Sequence, residues 1–280
     1  MSEVVEKKIL DLNKVHFGDS LDVIKSFPDN SIDMIFTSPP YADRRKNVYG
    51  GVREDKYVEW FLPIAREIKR VLKPTGSFFL NIKPHTDKKG ERSLYVFDLV
   101  LSLKREVGFM FIDELCWTKN AFPGSLKGKF KNGFEPVYHF TKNSSSEITF
   151  NPTACGTPIK EESLRRAMRK QSGAPKNGSG MAALKAENLL AITTARPSNV
   201  INANNVSNQF SDKQLHSATF PEKLVEFFVK SFTNEGDVVL DPFSGSGTTG
   251  LVCKRLKRNF ILIDKEESSY KLSLKRVGQS

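Results

Sequence analysis

Apolar residues along the chain fall into short continuous runs that alternate with stretches of helical period. Val15-His16-Phe17 reads as a short strand that stops at Gly18-Asp19-Ser20, and residues 21–27 read as a short helix. Residues 32–36 form an apolar run ending at Thr37-Ser38-Pro39-Pro40-Tyr41. The polar stretch 42–55, rich in Arg, Lys and Gly, has the composition of a loop. Tyr57, Trp60, Phe61, Ile64, Ile68, Val71 and Leu72 then recur at helical spacing, and Lys73-Pro74-Thr75-Gly76 stops that helix. Residues 77–82 read as a strand. A helix follows over 95–104, with Leu99, Val100 and Leu103 on one side, and then strands over 109–117 and 135–140. This alternation predicts a mostly parallel sheet.

The pattern breaks between residues 141 and 213, which are polar and rich in Asn, Ser, Lys and Arg. Alternation then resumes. Residues 222–232 read as a helix with Leu224, Phe227 and Phe228 on its apolar side. A strand over 238–240, a helix over 248–256 and a strand over 260–263 ending at Asp264 follow, and a last amphipathic helix covers 266–276. One α/β domain, 1–150 plus 214–280, is therefore split in sequence by an insert over 151–213.

Charge adds a partner class. The net charge is +11 and the pI near 9.5, which suits a polyanion, most simply nucleic acid. Inside the insert nine basic residues stand against four acids. They include Arg165, Arg166, Arg169 and Lys170 in one run, which a solvated helical face would explain equally well. Cys116, Cys155 and Cys253 are widely spaced and suggest neither a disulfide framework nor a metal site, as expected in a reducing cytoplasm. Four scattered histidines argue against zinc. The charged first residues lack the apolar stretch of a signal peptide, and no apolar run approaches the length of a membrane span.

Two motifs carry the chemistry, and each closes an expected strand, the edge at which open α/β sheets bind ligands. Asp241-Pro242-Phe243-Ser244-Gly245-Ser246-Gly247-Thr248-Thr249-Gly250 contains Gly-x-Gly-x-x-Gly, and Asp264 lies 19 residues beyond Gly245. Glycines let backbone approach a cofactor, and an acid at the end of the next strand grips ribose hydroxyls. The loop by itself suits NAD or S-adenosylmethionine equally. Only 16 residues follow Asp264, too few for the remainder of an unpermuted dinucleotide fold. No Gly-Lys-Ser/Thr follows the glycines, which excludes a Walker A loop.

With Ser38-Pro39-Pro40-Tyr41 first and the Gly-rich loop last, the chain resembles the S-adenosylmethionine-dependent DNA amino-methyltransferases, in the permuted order of their β-class. The resemblance covers nearly the whole chain. It implies a Rossmann-like, seven-stranded, circularly permuted α/β sheet with residues 151–213 as a target-recognition region. It implies S-adenosylmethionine as cofactor and duplex DNA as substrate. Bacterial restriction–modification systems hold similar enzymes, sometimes beside a cognate endonuclease acting on the same site; others are solitary. A monomer or homodimer in the bacterial cytoplasm is expected.

The resemblance also assigns residues. Asp241 meets the cofactor's ammonium group, Pro242, Phe243, Ser244, Gly245, Ser246, Gly247 and Thr248 form the loop around it, and Asp264 takes the ribose. Asp19 matches the acid that binds the adenine amino group, although it also suits a helix N-cap. Thr37 is expected at the cofactor, and the segment His216-Ser217-Ala218-Thr219-Phe220-Pro221 near its methionine part, with His216, Ala218 and Phe220 as contacts. The family often has Pro where Ser217 stands and Lys-Pro where Phe220-Pro221 stands, so a helix start explains this segment nearly as well. Composition, apart from the resemblance, offers Arg44, Arg45 and Lys46, directly after the catalytic turn, as a phosphate clamp, with a solvated loop as the alternative.

The turn itself has a chemical rationale. An exocyclic amino nitrogen is a poor nucleophile because its lone pair is delocalised into the ring. Two fixed acceptors, Ser38 Oγ and the Pro39 carbonyl, would hold the amino hydrogens and turn the lone pair to the methyl donor. Consecutive prolines stiffen the turn. Tyr41 would stack on a base flipped from the duplex. Alignment supplies the remaining catalysis. Ser at the first position resembles mostly cytosine-N4 enzymes, and Asp or Asn mostly adenine-N6 enzymes. Carbon-5 methylation is disfavoured, since it needs Cys after Pro and here Leu115, Ala154 and Val252 precede the cysteines. An adenine-N6 enzyme, an RNA or protein methyltransferase, and a silent DNA-binding module stay as alternatives.

Overall fold

The computed structural model describes residues 10–43, 51–86, 90–119, 128–160, 162, 194–204 and 219–279. They form two compact units, residues 1–150 with 199–280, and residues 151–198. In the larger unit, β1 (Lys14–Phe17), α1 (Ser20–Lys25), β2 (Ile32–Thr37), α2 (Tyr57–Val71), β3 (Leu72–Asn81), α3 (Tyr95–Arg105), β4 (Met110–Thr118) and β5 (Phe134–Thr141) come first. In the smaller unit, β6 (Thr157–Pro158) pairs antiparallel with β7 (Thr194–Ala195). The larger unit then resumes with β8 (Val200–Asn202), α4 (Glu222–Phe232), β9 (Val238–Asp241), α5 (Thr248–Arg255), β10 (Asn259–Asp264) and α6 (Glu267–Val277).

One eight-stranded sheet runs in the order β1-β10-β9-β2-β3-β5-β4-β8. Neighbours from β1 to β3 are parallel, whereas β5 is antiparallel to both β3 and β4. All seven strands read from the sequence are present. The eighth, β8, lies within the polar insert expected over 151–213, and it pairs in parallel with β4 through Cys116↔Val200 and Trp117↔Ile201. The expected stop at Lys73-Pro74-Thr75-Gly76 becomes a bulge. β3 starts directly at Leu72, and the register runs from Ile32↔Leu72 to Met34↔Ser77.

Alternation along each strand builds two cores. Ile35 of β2, Phe78 and Leu80 of β3, Leu240 of β9 and Ile261 and Ile263 of β10 pack with α1, α2 and α3. Met34, Phe36, Phe79, Val239 and Leu262 point the other way, onto α4, α5 and α6. Phe228 anchors the second face, with ring centroids 4.9 Å from Phe36 and 4.6 Å from Phe79. Each such buried ring contributes roughly 1.5–3 kcal/mol by burial. Helix ends follow their local chemistry. Asp19 caps α1 by accepting from the Leu21 amide at 3.0 Å, and α6 stops at Gly278, whose φ of 74° is left-handed.

Candidate functional site

Strand order fixes where a site can form. From β9 the chain moves through α5 to β10 on one side, and from β2 it moves through α2 to β3 on the other. β9 and β2 are adjacent and parallel, so their carboxyl ends form the topological switch point. The Ser-Pro-Pro-Tyr turn leaves one of these ends and the Gly-rich loop leaves the other.

The two motifs are joined by Asp241, which is 1% exposed. Its carboxylate accepts from Thr37 Oγ1 at 2.8 Å, Thr249 Oγ1 at 2.7 Å and the Phe243 amide at 3.2 Å. Burial pushes this carboxyl up to about 6 despite those donors, and neighbouring Asp264 adds to the rise. Thr37 is fully buried beneath the turn. Pro242 accepts from the Ser20 hydroxyl of α1, and the Phe243 ring packs on Trp60 and Phe61 of α2.

Glycines are required at particular points of the loop. A Cβ on Gly247, at φ 74°, would lie 2.9 Å from Ser273, and one on Gly250 would lie 2.8 Å from Leu262. Gly245, at φ 53°, differs, because among the described residues no atom lies within 4 Å of its Cβ position, so the loop backbone faces open space there. Asp264, at the end of β10, accepts from the Gly245 amide at 2.8 Å and the Glu266 amide at 2.9 Å. Burial raises its pKa. Ser244 Oγ is buried and has no hydrogen-bond partner among the described residues. An open backbone face, an orphaned hydroxyl and a strand-end carboxylate form a cradle that fits an adenosyl cofactor. Asp19 is exposed, and one of its oxygens is engaged in capping α1. Phe220 packs on Phe36 at 5.0 Å, next to Pro221 at the N-cap of α4.

Sequence reasoning missed the struts of this loop. Ser273 Oγ of α6 donates to the Gly245 carbonyl at 3.1 Å, and Arg276 Nη1 donates to the Ser246 carbonyl and to Thr248 Oγ1, at 3.0 and 2.8 Å. The sequence places both in an amphipathic helix, and nothing in their spacing marks the direction in which they point.

Within the turn, the Pro40 carbonyl is fixed by the hydroxyl of buried Tyr57 at 2.7 Å. Among the described residues the Pro39 carbonyl receives no hydrogen bond. Ser38 Oγ, half-buried, lies 3.5 Å from Tyr41 Oη. Tyr41 Oη in turn lies 3.2 Å from Asn81 Oδ1 and 3.2 Å from Glu135 Oε2. Burial first, then the Glu135 charge, raises the Tyr41 pKa well above the ordinary phenol value. Glu135 is buried, and Lys83 and Lys119 both contact its other oxygen. Burial opposes ionisation of Glu135, but the two lysines outweigh it and hold the carboxyl below its usual range. Lys119 also lies 4.6 Å over the Trp117 ring. The sequence pattern marks Asn81 and Glu135 as strand residues only. The signal available was polar side chains at a strand's C-terminal end and at the start of an otherwise apolar strand.

Beside Tyr41 a cavity of about 590 Å³ opens, lined by Lys83, His85, Arg92 and residues 128–134, with Phe130 99% exposed. Its cations and aromatic rings suit nucleic acid. His85 also meets Asp43 and Glu54, with ligand atoms within 4.8 Å of one another, although Asp43 accepts from the Glu54 amide at 3.2 Å. Arg44, Arg45, Lys46, Arg165, Arg166, Arg169, Lys170, His216 and Ala218 lie outside the described residues. Among the described residues no helix is long and apolar enough to cross a membrane.

Switch-point cleft, Gly-rich loop and Ser-Pro-Pro-Tyr turn together define an S-adenosylmethionine-dependent methyltransferase that modifies DNA amino groups. The chain belongs to the N6_N4_Mtase family of DNA methylases, whose model matches residues 32–275. It is similar to the Type II methyltransferase M.PvuII of Proteus hauseri, 31% identical over 269 residues, covering 88% of this chain and 78% of that protein. It is also similar to the DNA adenine methyltransferase YhdJ of Escherichia coli K12, 28% identical over 265 residues, covering 93% and 81%. The solved PvuII DNA methyltransferase (cytosine-N4-specific) superposes with a TM-score of 0.71 at 28% identity, covering 94% of this chain and 85% of that one. M1.HpyAVI, solved as a complex with S-adenosylmethionine, shares the fold with a TM-score of 0.59 at 24% identity, covering 94% and 98%.

Proposed function

We propose that this chain methylates the N4 amino group of cytosine at a short site in duplex DNA, with the target base rotated out of the helix. The observation that carries the reading is the opposition of Ser38 and the Gly-rich loop across one switch point, locked by Thr37 and Asp241. When bound, S-adenosylmethionine would supply an electrophilic methyl group and leave as the thioether S-adenosylhomocysteine, while the amino nitrogen, made acidic by the incoming methyl, sheds one proton. Ser38 Oγ and the Pro39 carbonyl accept the two amino hydrogens and hold the nitrogen lone pair toward the loop. Tyr41 offers its ring to the flipped base. Asp264 keeps lone pairs for ribose hydroxyls beyond its two backbone bonds. Asp19 similarly has one carboxylate oxygen outside its cap for the adenine amino group. Asp241 is sealed, so it acts on an ammonium group through the field beneath the loop and through the backbone it shapes.

The cationic cavity beside Tyr41 supports entry of the base from that side. The basic residues at 44–46 and 165–170 are proposed phosphate or base contacts, and residues 151–213 the region that reads the site. A cognate endonuclease is proposed by analogy with the Type II relatives.

Ser38 and the likeness to a cytosine-N4-specific structure support cytosine. Likeness to an adenine methyltransferase favours the second reading, N6-adenine, with the same fold, cofactor and alignment chemistry. Incubation with methyl-labelled S-adenosylmethionine and unmethylated genomic DNA, followed by nucleoside mass spectrometry, separates the two. Labelled N4-methylcytosine is expected, and labelled N6-methyladenine would reverse the base assignment.

A further inference from the structure

We propose that Glu135, acting through Tyr41, orients the hydroxyl proton of Ser38 away from the target base, so that Ser38 meets the amino group as an acceptor. The inference rests on the proposed base methylation and adds a positioning residue to it. Ser38 can donate or accept, and a hydroxyl proton aimed at an amino hydrogen would repel it. Something must therefore take that proton.

The surroundings of Tyr41 Oη determine the direction. Asn81 Nδ2 donates to the Pro136 carbonyl at 2.9 Å, which turns Asn81 Oδ1 toward Tyr41. Glu135 presents Oε2 to Tyr41, while both lysines occupy the side of Oε1. An amide oxygen and an ionised carboxylate only accept. Tyr41 has a single proton, which burial keeps in place and which is committed to these two acceptors. Its oxygen therefore faces Ser38 as an acceptor, and the Ser38 proton points to it along the 3.5 Å contact. Both Ser38 lone pairs are left for the base. The chain Ser38, Tyr41, Glu135 thus has one polarity, set by the ion pairs at its far end.

Glu135→Gln tests the polarity at constant shape. With its oxygen held by the lysines, the amide nitrogen would face Tyr41 and donate to the oxygen that Ser38 now uses. The expected result is a fall in single-turnover rate of about 10- to 100-fold, equivalent to one charge-assisted hydrogen bond. Cofactor Kd and DNA KM stay within about twofold, and Glu135→Asp recovers most of the rate. Tyr41→Phe keeps the ring and removes the relay, so it gives a comparable loss, and combining it with Glu135→Gln adds little.

Parental rates in Glu135→Gln, or a Glu135→Gln loss that persists in full on the Tyr41→Phe background, would overturn the inference. Should Glu135→Gln fail to fold, Tyr41→Phe decides by itself, because parental turnover there removes the relay. An unmutated protein that methylates no base removes the functional reading and this inference with it. An active parent with indifferent variants removes the inference and leaves the functional reading standing.

Discussion

Thr37 Oγ1 donates to Asp241 Oδ1 at 2.8 Å, joining residues 204 positions apart at the two carboxyl strand ends that flank the cleft. The bond holds the Ser-Pro-Pro-Tyr turn and the Gly-rich loop in one geometry. Nearby Thr249 supplies the second side-chain donor to the same carboxylate, so a single buried acid carries the contact between motifs. Thr37→Val keeps the volume and deletes this donor. It is expected to destabilise the fold by about 1–3 kcal/mol, the usual effect of under-satisfying a buried polar group. A lowered urea midpoint with an unchanged slope would show it, and an unshifted midpoint would contradict it.

Asp241 also gives the fold a pH signature. Its folded pKa of about 6 lies above the ordinary carboxylate value of 3.8. The folded state therefore binds the proton more tightly than the unfolded state. The stability this contributes is complete below about pH 4 and is lost as pH rises through about 6. Asp241→Asn removes the effect, so between pH 4 and 7 stability should shift in the variant's favour by up to about 3 kcal/mol relative to the parent. Paired denaturation curves at the two pH values measure this, and a pH-independent difference would refute it.

Two loop glycines should separate binding from folding. Gly247→Ala places a Cβ 2.9 Å from Ser273 at φ 74°, and a melting temperature lowered by several degrees is expected. Gly245→Ala meets no atom within 4 Å among the described residues, so its effect on folding is limited to left-handed strain of about 1–2 kcal/mol. Its larger effect should be on cofactor affinity, because the methyl group occupies the open face of the loop. Calorimetric titration with S-adenosylmethionine beside thermal melts would show the contrast, and equal Kd values for parent and Gly245→Ala would remove that face from the site.

Asp264→Ala should weaken cofactor binding through lost ribose hydrogen bonds, by about 10- to 100-fold. The same change frees the Gly245 and Glu266 amides, so Asp264→Asn, which keeps one acceptor oxygen, is expected to fall between Ala and the parent. An unchanged dissociation constant in Asp264→Ala would take this residue out of the site.

The cleft was legible because its two motifs are local. Gly245, Gly247 and Asp264 announce themselves by spacing along one strand–loop–helix–strand unit, and Ser38 to Tyr41 by two prolines at the end of an apolar run. Thr37 and Asp241 were visible as members of those motifs, but their mutual bond was not, because it depends on β9 lying next to β2. Glu135 was hidden for a related reason. Its partner Lys83 lies 52 positions away, and their meeting requires β5 to reverse direction between β3 and β4. An acid at the head of an apolar strand reads as a boundary until its lysines are seen. Strand β8 escaped because three residues in a polar setting are too short for a period-2 pattern to show.

The central claim is that Ser38 acts on the base while the Gly-rich loop across the cleft holds the cofactor. Ser38→Ala, assayed for single-turnover methyl transfer to DNA and, in parallel, for cofactor affinity, tests it most directly. A loss of transfer of at least about 100-fold is expected, with the cofactor Kd within about twofold of the parent. Equal losses of transfer and cofactor affinity, or transfer at the parental rate, would contradict it.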